Sequence, residues 1–191
     1  MNGMCNNYRL HVPTNQIAEP FSAAKRSLVF PGGQPNLEPG EYRIGDRAPI
    51  IVQGNTAPEL IMTTWSWRGP GGKPVFNFRS DGRDFSRSTR CLIPSDGFFE
   101  FTEPKVGGRK TKWLFTMRDQ PWFWILGLVK DGAFSMLTTE PGEDVAPYHD
   151  RQVVLLPPGA GVHWLDLSAA QDLMLRPSSP GTLDVRRVWP E

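Results

Sequence analysis

Arg90-Cys91-Leu92-Ile93-Pro94-Ser95-Asp96-Gly97-Phe98-Phe99-Glu100-Phe101 lies near the middle of a 191-residue chain. Asp96-Gly97 between the apolar runs Cys91-Leu92-Ile93 and Phe98-Phe99 predicts a hairpin or bulge joining two strands. Alternation along the second strand sets Phe99 and Phe101 on one face and Phe98 with Glu100 on the other. Alone, Glu100 reads as a solvated carboxylate on a strand's outer face. Framed by aromatic rings it is partly desolvated, which raises its pKa and suits it to general acid or base work.

Outward from this stretch, the chain is rich in short strands. Ala48-Pro49-Ile50-Ile51-Val52 predicts a core strand, and Glu59 to Trp67 another, with Trp65 and Trp67 on one face and at least one of them in the core. Val75 to Arg79 is a short strand with the polar Asn77 between Phe76 and Phe78; a buried asparagine must be hydrogen-bonded, as glue or as a positioning group. Trp113–Met117, Trp122–Val129 and Ala133–Thr138, joined by turns such as Lys130-Asp131-Gly132, describe an antiparallel meander. Leu183–Val188 is a last strand. Helices are few: one over Ile17–Leu28 and two over Gly161–Leu167 and Ser168–Leu175, with Asp166 or Ser168 as candidate N-caps.

The bulk properties narrow the function. The length suits a single domain over residues 1–191. Twenty-one basic residues nearly balance twenty acidic ones, so any nucleic-acid surface must be a local patch. Two cysteines make no disulfide framework and no CxxC pair, which reads as a reduced, cytoplasmic protein without a structural zinc. No signal peptide and no stretch of about 18 apolar residues is present, so no membrane partner is expected. The default state is a monomer.

Three further stretches carry chemistry. Near the start, Met1-Asn2-Gly3-Met4-Cys5 holds two candidate start codons; initiation at Met4 or removal of a short leader at residues 1–3 brings Cys5 to the amino terminus. There it offers a thiol and an α-amine whose ordinary pKa near ~7.7–8.0 leaves much of it neutral. Arg79, Arg83, Arg87 and Arg90, interspersed with Ser80, Ser86 and Ser88, form the one dense basic cluster and carry phosphate-binding donors. Tyr148-His149-Asp150-Arg151 sets a histidine at the mouth of an apolar strand, placed for proton transfer. His163, next to Trp164, reads as structural.

In chain order, Met4-Cys5, Asn77-Phe78-Arg79, the Arg90–Phe101 stretch and His149-Asp150-Arg151 resemble the SOS response-associated peptidase (SRAP) family, proteins that shield abasic sites in single-stranded DNA. The resemblance runs over essentially the whole chain and also touches Thr138-Thr139-Glu140-Pro141. It implies an α+β fold: one compact domain on a strongly bent, barrel-like antiparallel β-sheet with a few peripheral helices. It implies covalent capture of the abasic sugar aldehyde as a thiazolidine on Cys5. Glu100 and His149 are then the proton-transfer groups, Asn77 orients the amino-terminal residue or the sugar, and Arg79, Arg87 and Arg151 hold flanking phosphates. The implied partner is single-stranded DNA with abasic sites, the implied cofactor is none, and weak strand cleavage by β-elimination accompanies the Schiff base. The chain departs from the family pattern in carrying Asn6-Asn7 where Gly-Arg often follows the cysteine, and in lacking bulky tryptophans at Gly69–Gly72.

Other readings of the same residues stay open. Cys5, His149 and Asn77 or Glu100 also form a nucleophile–base–orienter set for a thiol peptidase. The arginines with exposed tryptophans suit a non-covalent single-strand binder. A metal site from Cys5, Cys91 and His149 is the weakest reading, because Cys91 lies in an apolar run.

Overall fold

The computed structural model describes residues 5–103 and 108–189, so the candidate leader lies outside the described residues, as does part of the polar turn before Lys112. In chain order the strands and helices are β1 (Asn7–Leu10), α1 (Thr14–Ala23), β2 (Gly40–Arg43), β3 (Arg47–Gln53), β4 (Pro58–Trp65), β5 (Trp67–Arg68), β6 (Pro74–Val75), β7 (Asn77–Arg79), β8 (Thr89–Ser95), β9 (Gly97–Thr102), β10 (Thr111–Met117), β11 (Phe123–Lys130), β12 (Ala133–Thr139), β13 (Gln152–Val153), β14 (Leu155–Leu156), α2 (Gly161–Leu165), α3 (Gln171–Met174) and β15 (Leu183–Trp189).

Two sheets share one core. The first is antiparallel, in the order β15-β10-β9-β1-β2. In the second, β12 pairs with β4, β4 with β3, β3 with β8, β8 with β11, and β11 again with β12. That circuit returns to its start, which is the barrel-like closure expected of a strongly curled sheet. It is not wholly antiparallel: β12 runs parallel to both β4 and β7. Ile50, Ile51, Leu92, Ile93, Trp124, Ile125 and Leu126 line neighbouring strands of this circuit and are all fully buried. Such continuous apolar runs are what strands covered on both faces require.

The structure corrects the reading of Asp96-Gly97. It is no hairpin: β8 belongs to the curled sheet and β9 to the other, and the two do not pair. A type I′ turn needs positive φ at both central residues, and neither Asp96 nor Gly97 has it. Gly97 instead meets a packing limit, since a Cβ there would lie 2.6 Å from Leu114 Cδ1 and 3.3 Å from the Phe115 carbonyl oxygen. Asp96 is held by Arg9 at 2.9 Å and by the backbone N–H of His11 at 3.0 Å. The turn is thus the corner at which the chain passes from one sheet to the other.

The meander is also corrected. β11 and β12 form the expected hairpin, but β10 pairs with β9 and β15 in the other sheet. Helix α1 starts earlier than its apolar spacing suggested, because the Pro13 carbonyl accepts the N–H of Gln16 and Ile17; it stops before Lys25, which takes φ +57. Its buried Ile17 and Phe21 face the core, with the Phe21 ring edge-on to Trp124. Neither Asp166 nor Ser168 is an N-cap: Asp166 ends α2 as its C-cap and accepts the Ser168 N–H, and Ala160 and Ala170 stand at the N-cap positions. Trp65 and Trp67 are both buried, with Ser66 between them at φ +103.

Candidate active site

Four strands bring the site together. β9 pairs with β1, and β10 lies on the far side of β9 with Trp113 opposite Glu100. Cys5 enters just ahead of β1, and β7, docked on β12, delivers Asn77. The backbone N–H of Cys5 donates to Glu100 Oε1 at 3.1 Å. Asn77 Nδ2 donates to the Cys5 carbonyl at 3.0 Å, so Cys5 is held at both of its backbone polar groups. Its thiol points inward and reaches the Asn7 carbonyl at 3.5 Å.

Burial dominates the electrostatics. Cys5 and Glu100 are both fully buried. Burial pushes the Cys5 thiol well above its ordinary value, and the Glu100 carboxylate adds to the shift, outweighing backbone hydrogen bonds from Asn7 and Phe99. Glu100 is raised from 4.5 to about 8, chiefly by burial; the Cys5 N–H opposes the shift and the Asp150 carboxylate reinforces it. Its second oxygen, Oε2, is buried without a hydrogen-bond partner among the described residues. A carboxyl with one oxygen on a backbone N–H and the other unclaimed can hold a proton at neutral pH and exchange it with whatever enters the site.

His149 stands in the turn before β13. Its Nδ1 lies 3.0 Å from the Arg151 backbone nitrogen and 3.0 Å from Asp150 Oδ1. The side chain is 6% exposed. Among the described residues it makes no hydrogen bond with Cys5 or Glu100. The adjoining Tyr148 ties the turn to the site, packing edge-on against Trp113 and Phe115 of β10.

The structure divides the arginines. Arg79 and Arg87 are exposed. Arg151 is 9% exposed, and its Nη2 donates to Asp81 and, at 2.9 Å, to the Thr138 carbonyl. The Arg151 hydrogen bond holds the Asp81 carboxyl below its ordinary range. Arg90, part of the basic cluster in sequence, is removed from it in space: its guanidinium stacks over Trp164 at 4.0 Å and donates to the Phe85 and Trp164 carbonyls and to Gln171. Two of the interspersed serines are structural, Ser80 bonding the Thr138 carbonyl and Ser86 bonding Asp84.

Sequence reasoning missed the support around the nucleophile. Asn7 donates to Glu41, and the buried Lys112 grips both oxygens of that carboxylate at 3.0 and 2.8 Å while sitting 3.7 Å over the Phe99 ring. Burial pushes Glu41 up, but Lys112 and Asn7 outweigh it and hold the carboxyl below its ordinary range. The asparagine that replaces the arginine expected after the cysteine therefore has a structural task. Only its position two residues from Cys5 could have drawn attention to it; a lysine in an aromatic strand gives no such signal. Asp150 was likewise seen only as a neighbour of His149. Cys91 is buried in the core, where burial raises its thiol pKa. Among the described residues, no three His, Cys, Asp or Glu side chains gather as a metal-ligating group, and no helix is long and apolar enough to cross a membrane.

Comparison with known proteins adds the context. A protein from Bordetella bronchiseptica shares the fold with a TM-score of 0.73 at 21% identity, covering 97% of this chain and 100% of that one. A protein from Bacteroides thetaiotaomicron gives 0.71 at 20% identity, with 97% and 92% covered. A phage-related protein from Bordetella bronchiseptica gives 0.72 at 18% identity, with 98% and 95% covered. No curated protein matches the sequence. The family model for the SOS response associated peptidases matches residues 4–191. The match begins one residue before the buried cysteine and runs through Asn77, Glu100 and His149 to the end of the chain, and the protein belongs to the SRAP family.

Proposed function

We propose that this protein captures abasic sites in single-stranded DNA covalently, through a Cys5 whose nitrogen has been freed as an α-amine. The observation that carries the reading is the clasp on Cys5, its nitrogen 3.1 Å from Glu100 and its carbonyl 3.0 Å from Asn77. A nitrogen placed against a carboxyl of raised pKa has an acid and base at the atom where the chemistry begins.

The steps balance without a cofactor. The freed amine adds to the C1′ aldehyde of the ring-opened sugar, giving a carbinolamine. Glu100, protonated at neutral pH, donates to the departing hydroxyl; water leaves and a protonated imine remains. The Glu100 carboxylate then takes the thiol proton, sulfur bonds to the imine carbon, and the C=N electron pair returns to nitrogen, closing the five-membered thiazolidine with Glu100 protonated again. The sum is aldehyde plus aminothiol giving thiazolidine plus water. His149 serves sugar ring opening. Proton removal from C2′ at the imine stage gives β-elimination of the 3′ phosphate, the expected weak lyase side reaction. Glu100 also stands at the nitrogen of the peptide bond before Cys5, where a proton must arrive when water hydrolyses that bond; self-processing and capture would share one acid. Arg79, Arg87 and Arg151 supply phosphate contacts, which carry no base information.

The high thiol pKa weighs against a peptidase acting on protein substrates, which needs a thiolate at rest. The test is incubation of protein beginning at Cys5 with single-stranded DNA containing one abasic site, followed by a denaturing gel. A crosslink lost in Cys5→Ala, and lost when residues 1–4 remain attached, supports the reading. Salt-reversible binding with no denaturant-resistant adduct rejects it.

A further inference from the structure

Asn77 and Phe78 are neighbours on β7, so their side chains point to opposite faces. Asn77 reaches Cys5. Phe78 faces a separate cleft of about 700 Å³, well within the range of small-molecule sites. Aromatic walls are supplied by Trp67, Phe78 and Phe85, with the Phe78 ring 5.8 Å from Trp67 and 6.3 Å from Phe85. Leu128 and Val75 make the apolar floor.

The rim is cationic. Arg83, Arg87 and Lys130 line it, and among the described residues none of the three has a carboxylate partner within ion-pair distance. The Arg83 guanidinium lies 4.8 Å over the Phe78 ring, at the boundary between wall and rim. One carboxylate, Asp84, shares the lining; it is pinned by the Ser86 N–H and hydroxyl at 2.8 Å each. Three cations and one anion leave a rim charge of about +2, by Coulomb's law a seat for an anion. Aromatic walls beneath such a seat suit a planar ring carrying that anion. The cleft is too roomy for a single phenyl ring, and the Ser88 and Thr89 hydroxyls and the fixed Asp84 carboxylate offer polar groups for a ring with hydrogen-bonding edges.

We propose that this cleft is a nucleotide-binding subsite, with a base against Phe78 and its phosphate at Arg83 and Arg87. It lies on the opposite face of β7 from the Cys5 centre, sharing only Arg87 with the phosphate contacts proposed for the bound strand, and it rests on the nucleic-acid reading of the family in the choice among aromatic anions. The nucleotide can be free in solution or a unit of a bound strand.

The test is calorimetric titration of the full chain with dAMP, deoxyribose 5-phosphate and deoxyadenosine. Saturable binding of dAMP is expected, with the ligand lacking a base and the ligand lacking a phosphate each about tenfold weaker or more. The double variant Arg83→Ala/Arg87→Ala, altered only at exposed side chains, loses dAMP binding, and Cys5→Ala keeps it. In a second arm, intact single strands are compared with strands in which one base near the abasic site is replaced by a baseless spacer. A weaker complex for the spacer strand that Arg83→Ala/Arg87→Ala no longer distinguishes assigns the site to a unit of the strand. Equal affinities with dAMP binding retained assign it to a free nucleotide. Absence of both effects, or dAMP binding that survives the double variant, overturns the proposal. Because Cys5→Ala cannot crosslink, failure here is separable from failure of the capture reading.

Discussion

The Cys5 nitrogen and Glu100 Oε1 are 95 residues apart in sequence and 3.1 Å apart in space. The contact is made inside the protein, with both residues fully buried. An acid held at about 8 therefore sits on the atom that must lose, gain or carry a proton in either amine chemistry or cleavage of the preceding peptide bond. Asn77 fixes the other end of the same residue. The site is organised around the backbone of Cys5 as much as around its thiol.

Stability should record the burial of Glu100. Its folded pKa lies above the unfolded value, so between pH 4.5 and about 8 the unfolded chain has released a proton that the folded chain keeps. Stability therefore falls as pH rises through this window, by up to a few kcal/mol at about 1.4 kcal/mol per pKa unit. Glu100→Gln keeps an acceptor for the Cys5 N–H and should abolish this part of the dependence. Thermal melts of both proteins from pH 5 to pH 9 measure it; parallel curves would mean that Glu100 is not protonated in the fold.

The exposed and the buried arginine should behave differently. Arg79→Ala should weaken single-strand binding and lower the salt slope by about 1, with little change in melting temperature. Arg151→Ala removes the bonds to Asp81 and Thr138 and should cost about 1–2 kcal/mol of stability whatever it does to binding. Affinity titrations at several salt concentrations, paired with melts, separate the two effects.

Gly97→Ala tests the sheet-to-sheet corner. A methyl group there meets Leu114 and the Phe115 carbonyl, and the overpacking should cost about 1–3 kcal/mol. A denaturant melt unchanged by the substitution would contradict the close packing of Gly97 against Leu114 and Phe115.

Local composition made much of this legible. The apolar runs of β3, β8, β11 and β12 announced themselves, because strands covered on both faces need uninterrupted hydrophobicity. The aromatic frame around Glu100 foretold its raised pKa. Asp96-Gly97 misled because a turn pair says that the chain changes direction, not which strand comes next to it. Pairing partners depend on contacts far apart in sequence, and β10 could not be placed beside β15 without them. The same limit hid the Lys112–Glu41–Asn7 support and the removal of Arg90 to the Trp164 ring. Cys5, Asn77 and Glu100 each stood out from their own surroundings in sequence, and the family resemblance joined them into one site; their meeting is a property of the fold.

The most direct measurement is the intact mass of the product formed between protein beginning at Cys5 and an abasic single strand, followed by treatment with borohydride. A thiazolidine requires a mass equal to protein plus DNA less one water, localised to the amino-terminal peptide, unchanged by the reductant and absent in Cys5→Ala. An adduct that gains two hydrogens under borohydride, maps to a lysine or persists in Cys5→Ala would contradict capture by the Cys5 aminothiol.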